Sequence, residues 1–299
     1  MRLAICSYIL ILSAPLVSAQ GGPAFHSKVE LVAIPCSVVD ARGAPVGGLS
    51  REEFRVYDNG VRRIVQNLWL DSDLPLTLGV IVDVSESQRD QLAEHRQTVL
   101  EILGKMLRAG DRAFVVSVNQ EVRLWADLSA ETDELNRKLQ AGSGTLLGDQ
   151  CPARSCGGSP LWNAIFETAR LKMNTLAGNK ALLILTDGFD TGSPHTWRQA
   201  VEEAQRAETA VYAVQYHSKF GGRYVPDLYR LVEESGGAWF PAGDSAAIAA
   251  RIEMDLRRRY VLGVQPERLS GKLRHEVRVE VTRPDLTVRA RKAYFQSLR

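Results

Sequence analysis

Two short segments of this sequence place carboxylates and hydroxyls directly after apolar runs. Asp83-Val84-Ser85-Glu86-Ser87 follows Leu78–Val82, and Thr186-Asp187-Gly188 follows Leu183–Leu185. Oxygen ligands of this kind suit a hard cation, because Mg²⁺ takes about six oxygens and only one or two protein carboxylates. A softer metal would call for imidazole or thiolate, and the histidines show no ligand spacing. We therefore predict a divalent-cation site, with Mg²⁺ favoured and Mn²⁺ or Ca²⁺ as alternatives. Its ligands in these segments would be Asp83, Ser85, Ser87 and Asp187.

The two segments can meet only if the strands before them lie in one parallel sheet. Apolar runs indicate buried strands at Leu78–Val82, Ala113–Val118, Ala181–Leu185 and Ala210–Tyr216, with helical stretches between them. This alternation predicts an α/β fold, in which a doubly wound, mostly parallel sheet carries helices on both faces. Ligands of such sheets bind beyond the carboxyl ends of the strands, at a switch point. Both polar segments begin at such ends.

The chain on either side of this α/β unit alternates apolar and polar residues, as strands do. One strand is predicted at 29–39, and a β-hairpin around an Asn-Gly turn at 55–70. The tail contains three further predicted strands after residue 259. The two β-rich parts are expected to pair, because the termini of a compact chain often lie close together. The resulting segments are an N-terminal β-rich one (20–74), the α/β domain (75–257) and a C-terminal β one (258–299).

The first 19 residues have the composition of a secretory signal peptide. Arg2 precedes the apolar run Leu3–Leu12, and the small residues Val17-Ser18-Ala19 precede a predicted cut at Gln20. A retained membrane anchor is the alternative, but the run is shorter than the ~20 apolar residues that a spanning helix needs. We expect export to the periplasm or the extracellular space, with no membrane span in the mature chain.

Export gives the cysteines a particular meaning, because disulfides persist in oxidising compartments. Cys151 and Cys156 bracket four residues and are predicted to form a disulfide, with two unrelated reduced thiols as the alternative. Cys6 would be removed with the signal peptide. Cys36 shares a strand face with apolar residues, so we expect it to be a small buried hydrophobe.

Composition and motifs argue against several classes of function. The sequence is 45% hydrophobic and 24% charged, as in ordinary globular proteins, and its net charge of +2 does not indicate nucleic acid as a partner. It contains no Gly-x-Ser-x-Gly elbow, Walker loop or Gly-x-Gly-x-x-Gly motif. Phosphatases of the haloacid dehalogenase type need a second aspartate where Ser85 stands. We therefore predict that the protein is not an enzyme, and a hydrolase is the less favoured alternative.

The sequence resembles the von Willebrand factor A-type family. Asp-x-Ser-x-Ser after an apolar strand opens the metal-ion-dependent adhesion site of that family, and the Thr-Asp-Gly setting of Asp187 matches its final aspartate. Nearly the whole mature chain is similar to a bacterial group of exported "VWFA-related domain" proteins. That similarity is carried by the Gly-Leu-Ser-Arg-Glu-Glu-Phe leader, the segment Leu185–Ser193 and the tail from Tyr260 onward.

The resemblance adds a third hydroxyl ligand and a mode of binding. In the family a threonine before a later helix binds the metal. Ser159 falls at that position here, before Pro160, and Thr145 in the same loop is the alternative. The serines and the threonine of the family contact the metal directly, whereas the aspartates often act through water. The cation therefore keeps its affinity for a carboxylate of a partner.

Two kinds of function follow from the resemblance. The first is an exported, metal-dependent protein-binding module of the adhesion type, whose partner presents an Asp or Glu. The alternative is a structural envelope or assembly scaffold with an idle metal site. If Asp83 and Asp187 only capped helices or loops, the metal site would be absent altogether.

Overall fold

The structure is a computed structural model that describes residues 31–70, 74–141, 158–218, 225–266 and 273–296. The predicted signal peptide, Thr145 and the predicted Cys151–Cys156 disulfide lie outside these ranges. The described strands, in chain order, are β1 (Val32–Val39), β2 (Phe54–Asp58), β3 (Val61–Arg63), β4 (Val65–Leu70), β5 (Leu76–Asp83), β6 (Arg112–Val118), β7 (Val122–Ser129), β8 (Asn179–Thr186), β9 (Ala210–Gln215), β10 (Trp239–Pro241), β11 (Tyr260–Val264), β12 (Arg274–Val281), β13 (Thr287–Ala290) and β14 (Ala293–Phe295). The described α-helices are α1 (Leu92–Met106), α2 (Thr132–Ala141), α3 (Leu161–Glu167), α4 (Trp197–Arg206), α5 (Pro226–Ser235) and α6 (Ser245–Arg257).

The central sheet has the strand order β10-β9-β8-β5-β6-β7, and every neighbouring pair except β6 and β7 is parallel. Helices α1, α2 and α6 pack on one face, and α3, α4 and α5 pack on the other. All residues of β5 and β8 are buried. Burial on both faces is the reason that these strands read as continuous apolar runs. The predicted α/β fold with a doubly wound, mostly parallel sheet is confirmed.

A glycine permits close packing in the middle of this sheet. A Cβ atom on Gly79 of β5 would lie 2.5 Å from the Phe114 ring and 2.6 Å from the Leu182 side chain. Both of those side chains are completely buried between the sheet and its helices. The missing side chain at Gly79 therefore makes room for its neighbours on β6 and β8.

The N- and C-terminal β segments pair, as expected. Strand β1 lies antiparallel between β11 and β13, and β2 lies antiparallel to β12. The resulting sheets, β13-β1-β11-β4 and β14-β12-β2-β3, share one hydrophobic core. Cys36 is fully buried in that core.

Two predictions of secondary structure were incomplete. The second strand of the predicted hairpin at 55–70 is divided at Ile64, because β3 pairs with β2 while β4 joins β11 in the other sheet. Strands that change sheets in this way form the corners of β-sandwiches. The edge strand β7 was not predicted; only one of its eight residues is buried, and it pairs irregularly with β6. None of the helices in the described ranges is long and apolar enough to cross a membrane.

Candidate metal centre

The two predicted polar segments meet at the carboxyl edge of the central sheet. Asp83 is the last residue of β5, and Thr186 is the last residue of the adjacent parallel strand β8. The strands pair up to Val82 and Leu185, so the two polar residues that follow are direct neighbours. The parallel register therefore creates the proximity that the sequence pattern predicted.

Asp83 is completely buried and accepts three hydrogen bonds through its carboxylate. The backbone N–H of Ser85 donates to Oδ1 at 3.0 Å. The hydroxyls of Thr186 and Ser159 donate to Oδ2 at 2.7 Å and 3.3 Å. Burial raises the pKa of Asp83 to about 6, although the hydrogen bonds from Ser85 and Thr186 oppose the shift and the charge of Asp187 adds to it.

Hydroxyl groups from two loops surround this carboxylate. Ser85 is buried, and its Oγ lies 3.1 Å from Oγ of the half-buried Ser87. These serines begin a 3₁₀ turn (Glu86–Gln91) that leads into α1. Ser159 is buried as well and comes from the segment before α3. The structure thus brings Ser85 and Ser159 to Asp83, with Ser87 beside Ser85.

Asp187 is buried but only partly hydrogen-bonded. Its Oδ1 accepts the backbone N–H of Phe189 at 3.1 Å, whereas Oδ2 is buried and has no hydrogen-bond partner among the residues that the structure describes. Its backbone carbonyl accepts a hydrogen bond from Gln215 Nε2 at 3.0 Å. The next residue, Gly188, has φ of +87°, a conformation that favours glycine. The tight turn there holds Asp187 just beyond the end of β8.

His95 of α1 contacts the backbone of Asp83 and so supports the site, a role that the sequence did not indicate. Its Nδ1 lies 3.2 Å from the carbonyl oxygen of Asp83, and since a carbonyl can only accept, Nδ1 carries the proton. Burial lowers the pKa of His95 to about 4, so the imidazole is neutral near pH 7. Its ring packs on Tyr216, whose hydroxyl lies 2.8 Å from Thr98 Oγ1. The end of β5 is therefore tied to α1.

The donor set suits a hard cation. Within the described ranges there is no group of three or more His, Cys, Asp or Glu side chains arranged to hold a metal ion. A cation at this edge would depend on hydroxyl oxygens, together with Asp83 and the unpartnered oxygen of Asp187. Neutral hydroxyls and one or two carboxylates are ligands that Mg²⁺ accepts. The residues present therefore fit the predicted ion.

Comparison with known proteins identifies the class. The family model for the von Willebrand factor type A domain matches residues 78–252, so the chain belongs to that family. Its domains commonly mediate protein–protein interaction and bind a divalent cation at a metal-ion-dependent adhesion site. A search of curated protein sequences found no significant match.

A comparison with solved structures gives matches of low sequence identity, with TM-scores below 0.5. An aerotolerance-related membrane protein of Bacteroides fragilis is 11% identical, with a TM-score of 0.46, over 60% of this chain and 98% of its own. BatB of Bacteroides thetaiotaomicron is 13% identical, with a TM-score of 0.45, over 60% of this chain and 97% of its own. Proximal thread matrix protein 1 of the mussel byssus, solved with a zinc-occupied MIDAS motif, is 13% identical, with a TM-score of 0.49, over 67% of this chain and 49% of its own.

Proposed function

We propose that this protein is an exported, metal-dependent binding module that captures a carboxylate of a partner protein through a divalent cation. The proposed ligands are the hydroxyls of Ser85, Ser87 and Ser159, with the carboxylates of Asp83 and Asp187 acting directly or through water. Mg²⁺ is the favoured ion, and the partner would present an Asp or Glu. Export is proposed from the residue pattern of positions 1–19.

The observation that carries this proposal is the buried Oδ2 of Asp187, which finds no hydrogen-bond partner within the described part of the chain. A buried polar atom without a partner costs free energy, and a buried charge costs more unless it is paired or binds a metal. This oxygen stands one residue beyond Thr186, which contacts Asp83. Two buried carboxylates beside several hydroxyls are an arrangement that a bound cation would stabilise.

The hydrogen bonds around Asp83 support the role proposed for the hydroxyls. Ser159 uses its hydroxyl hydrogen as the donor to Asp83, which leaves the lone pairs of its oxygen available. Hydroxyl ligands are neutral, so a bound cation would retain positive charge and attract a further carboxylate. That property matches capture of a partner, and it requires no bond to be made or broken.

Cation binding is tested by isothermal titration of the metal-free protein with Mg²⁺ and Mn²⁺. We expect one binding site in the wild type and none in Asp83→Ala. The matched control is Asp90→Ala, because Asp90 lies in the 3₁₀ turn after Ser85 but is exposed to solvent. Equal affinity of Asp83→Ala and the wild type for these cations would contradict the proposed site.

Partner capture is tested by a pull-down from an envelope extract, with and without EDTA. A partner bound through the cation is expected to be lost with EDTA and with Asp83→Ala, and to be retained by Asp90→Ala. Capture that survives both EDTA and Asp83→Ala would favour the alternative, a scaffold with an idle metal site.

A further inference from the structure

The loop that follows Asp187 lies against the segment that carries Ser159. The backbones of Ser159 and Thr191 form two reciprocal hydrogen bonds. The N···O distance is 3.1 Å from Ser159 N to the Thr191 carbonyl and 2.9 Å from Thr191 N to the Ser159 carbonyl. The N–H of Ser159 also contacts Thr191 Oγ1 at 2.7 Å. The backbone of Ser159 is therefore bound on both its N–H and its carbonyl to one residue of the β8–α4 loop.

Asp190 connects the same loop to the start of α3. Its Oδ1 accepts the backbone N–H of Trp162 at 3.0 Å and also the hydroxyl of Ser193. Ser193 Oγ in turn accepts the N–H of Asn163 at 3.0 Å. The first N–H groups of a helix have no partner within the helix, and here the β8–α4 loop supplies two of those partners.

These contacts enclose the proposed third hydroxyl ligand. On one side of Ser159 the backbone is paired with Thr191, and on the other side the first turn of α3 is bound to Asp190. The hydroxyl between them reaches Asp83 Oδ2 at 3.3 Å. The position of that hydroxyl therefore depends on how the β8–α4 loop holds α3.

We propose that Asp190 is a positioning residue for the cation site, which fixes the Ser159 hydroxyl by anchoring the first turn of α3. This inference rests on the proposed function. The carboxylate of Asp190 is engaged by Trp162 and Ser193, so it acts on the cation through Ser159 and is not itself a ligand. Residues that bond directly to a metal ligand typically change metal affinity by about 10–100-fold when they are mutated. Asp190 acts one contact further away, through the first turn of α3, so we expect an effect at the lower end of that range.

The Asp190→Asn variant distinguishes a positioning role of Asp190 from an effect of its charge. Asp190→Asn keeps an Oδ1 acceptor for the Trp162 N–H and the Ser193 hydroxyl but removes the negative charge. Asp190→Ala removes both the acceptor and the charge. If Asp190 acts by holding α3, Asp190→Asn should keep the cation affinity of the wild type. If Asp190 acts only by electrostatic attraction for the cation, both variants should lose affinity.

The experiment measures the affinity of the full chain for Mn²⁺ by electron paramagnetic resonance, which reports free Mn²⁺ directly. We expect Asp190→Ala to weaken binding by about 10-fold and Asp190→Asn to retain nearly all of it. In a Ser159→Ala background, Asp190→Ala should have little further effect, because the two residues act on one ligand. Circular dichroism in EDTA checks that each variant is folded.

Asp244→Ala is the matched control, because Asp244 caps α6 by accepting the N–H groups of Ala246 and Ala247. It removes a helix cap of similar type and should leave Mn²⁺ affinity unchanged. Unchanged affinity in Asp190→Ala, equal losses in Asp190→Asn and Asp190→Ala, or additive losses with Ser159→Ala would each overturn the positioning role. Absence of Mn²⁺ binding by the wild type would instead overturn the proposed function, together with this inference.

Discussion

The hydroxyl of Thr186 donates a hydrogen bond to Asp83 Oδ2 at 2.7 Å, which joins the ends of the two central strands β8 and β5. Both residues are completely buried. Thr186 also accepts the backbone N–H of Gly188 at 3.0 Å, so one hydroxyl links the first proposed carboxylate ligand to the turn that follows Asp187. Thr186 is not among the predicted ligands, yet it connects their two segments.

Replacement of Thr186 by valine should therefore destabilise the protein. Valine keeps the shape of threonine but leaves the buried Asp83 carboxylate without its shortest hydrogen bond, which costs about 1.5–3 kcal/mol when the partner is charged. Urea unfolding in EDTA measures the loss. Thr186→Ser keeps the hydroxyl, so its free energy of unfolding should be closer to that of the wild type. Equal stability of the valine variant and the wild type would mean that this hydrogen bond contributes nothing.

Asp187→Asn should separate stability from cation binding. The substitution removes a charge whose Oδ2 is buried and has no partner in the described ranges, so in EDTA the variant should be at least as stable as the wild type. Saturating Mg²⁺ should raise the melting temperature of the wild type, because a ligand at 100 times its Kd stabilises by about 2.7 kcal/mol, and should not raise that of the variant. Thermal unfolding with and without Mg²⁺ measures both effects, with Asp90→Asn as the exposed control. A variant that is less stable in EDTA and still responds to Mg²⁺ would contradict the assignment.

Gly79→Ala should destabilise the central sheet. The added methyl group would lie within 2.6 Å of the Phe114 and Leu182 side chains, and overpacking of this kind typically costs about 1–3 kcal/mol. Gly104→Ala is the control, because a Cβ at that position in α1 would have no described atom within 4 Å apart from the backbone of its own helix and its chain neighbours. Alanine is preferred to glycine in a helix by about 1 kcal/mol, so this control should be more stable than the wild type. Denaturant unfolding compares the two, and a neutral Gly79→Ala would show that the sheet adjusts at little cost.

Cys36 should be inert in the folded protein. Burial raises the pKa of its thiol from 9.0 to about 12, and the thiolate is the reactive form. Because the folded pKa lies above the unfolded value, the stability contributed by the neutral thiol is fully present below about pH 9 and is lost as the pH rises towards 12. Mass spectrometry after iodoacetamide treatment at pH 8 should find Cys36 unmodified in the native protein and modified in urea. Rapid native modification would place Cys36 at an accessible surface.

The fold was predictable because its central strands are buried on both faces. Continuous apolar runs located β5 and β8, and the polar residues directly after them identified Asp83 and Asp187. The edge strand β7 lacked such a run because only one of its eight residues is buried. Sequence spacing locates residues at the ends of strands, but it carries no information about side chains that arrive from other elements.

The residues that support the site are examples of side chains that sequence spacing cannot locate. His95 reaches the Asp83 carbonyl from the first turn of α1, and no spacing rule connects the two positions. Asp190 was inside a segment that carried the family resemblance, but its role depends on the contact between its loop and α3. Thr186 was part of the Thr-Asp-Gly signal, and the parallel register of β5 and β8 is what turns it towards Asp83.

The pairing of β1 also determines the order in which the parts of the protein can fold. Strand β1 lies between β11 and β13, which begin at Tyr260 and Thr287. During synthesis from the N-terminus, β1 has neither partner until the segment from Tyr260 onward has emerged from the ribosome. Every strand of the central sheet is translated earlier, and domains generally fold as units in the order of their synthesis. The α/β domain can therefore fold first, and the sheets that contain β1 and β2 form after it, in a step that requires contacts between strands far apart in the sequence.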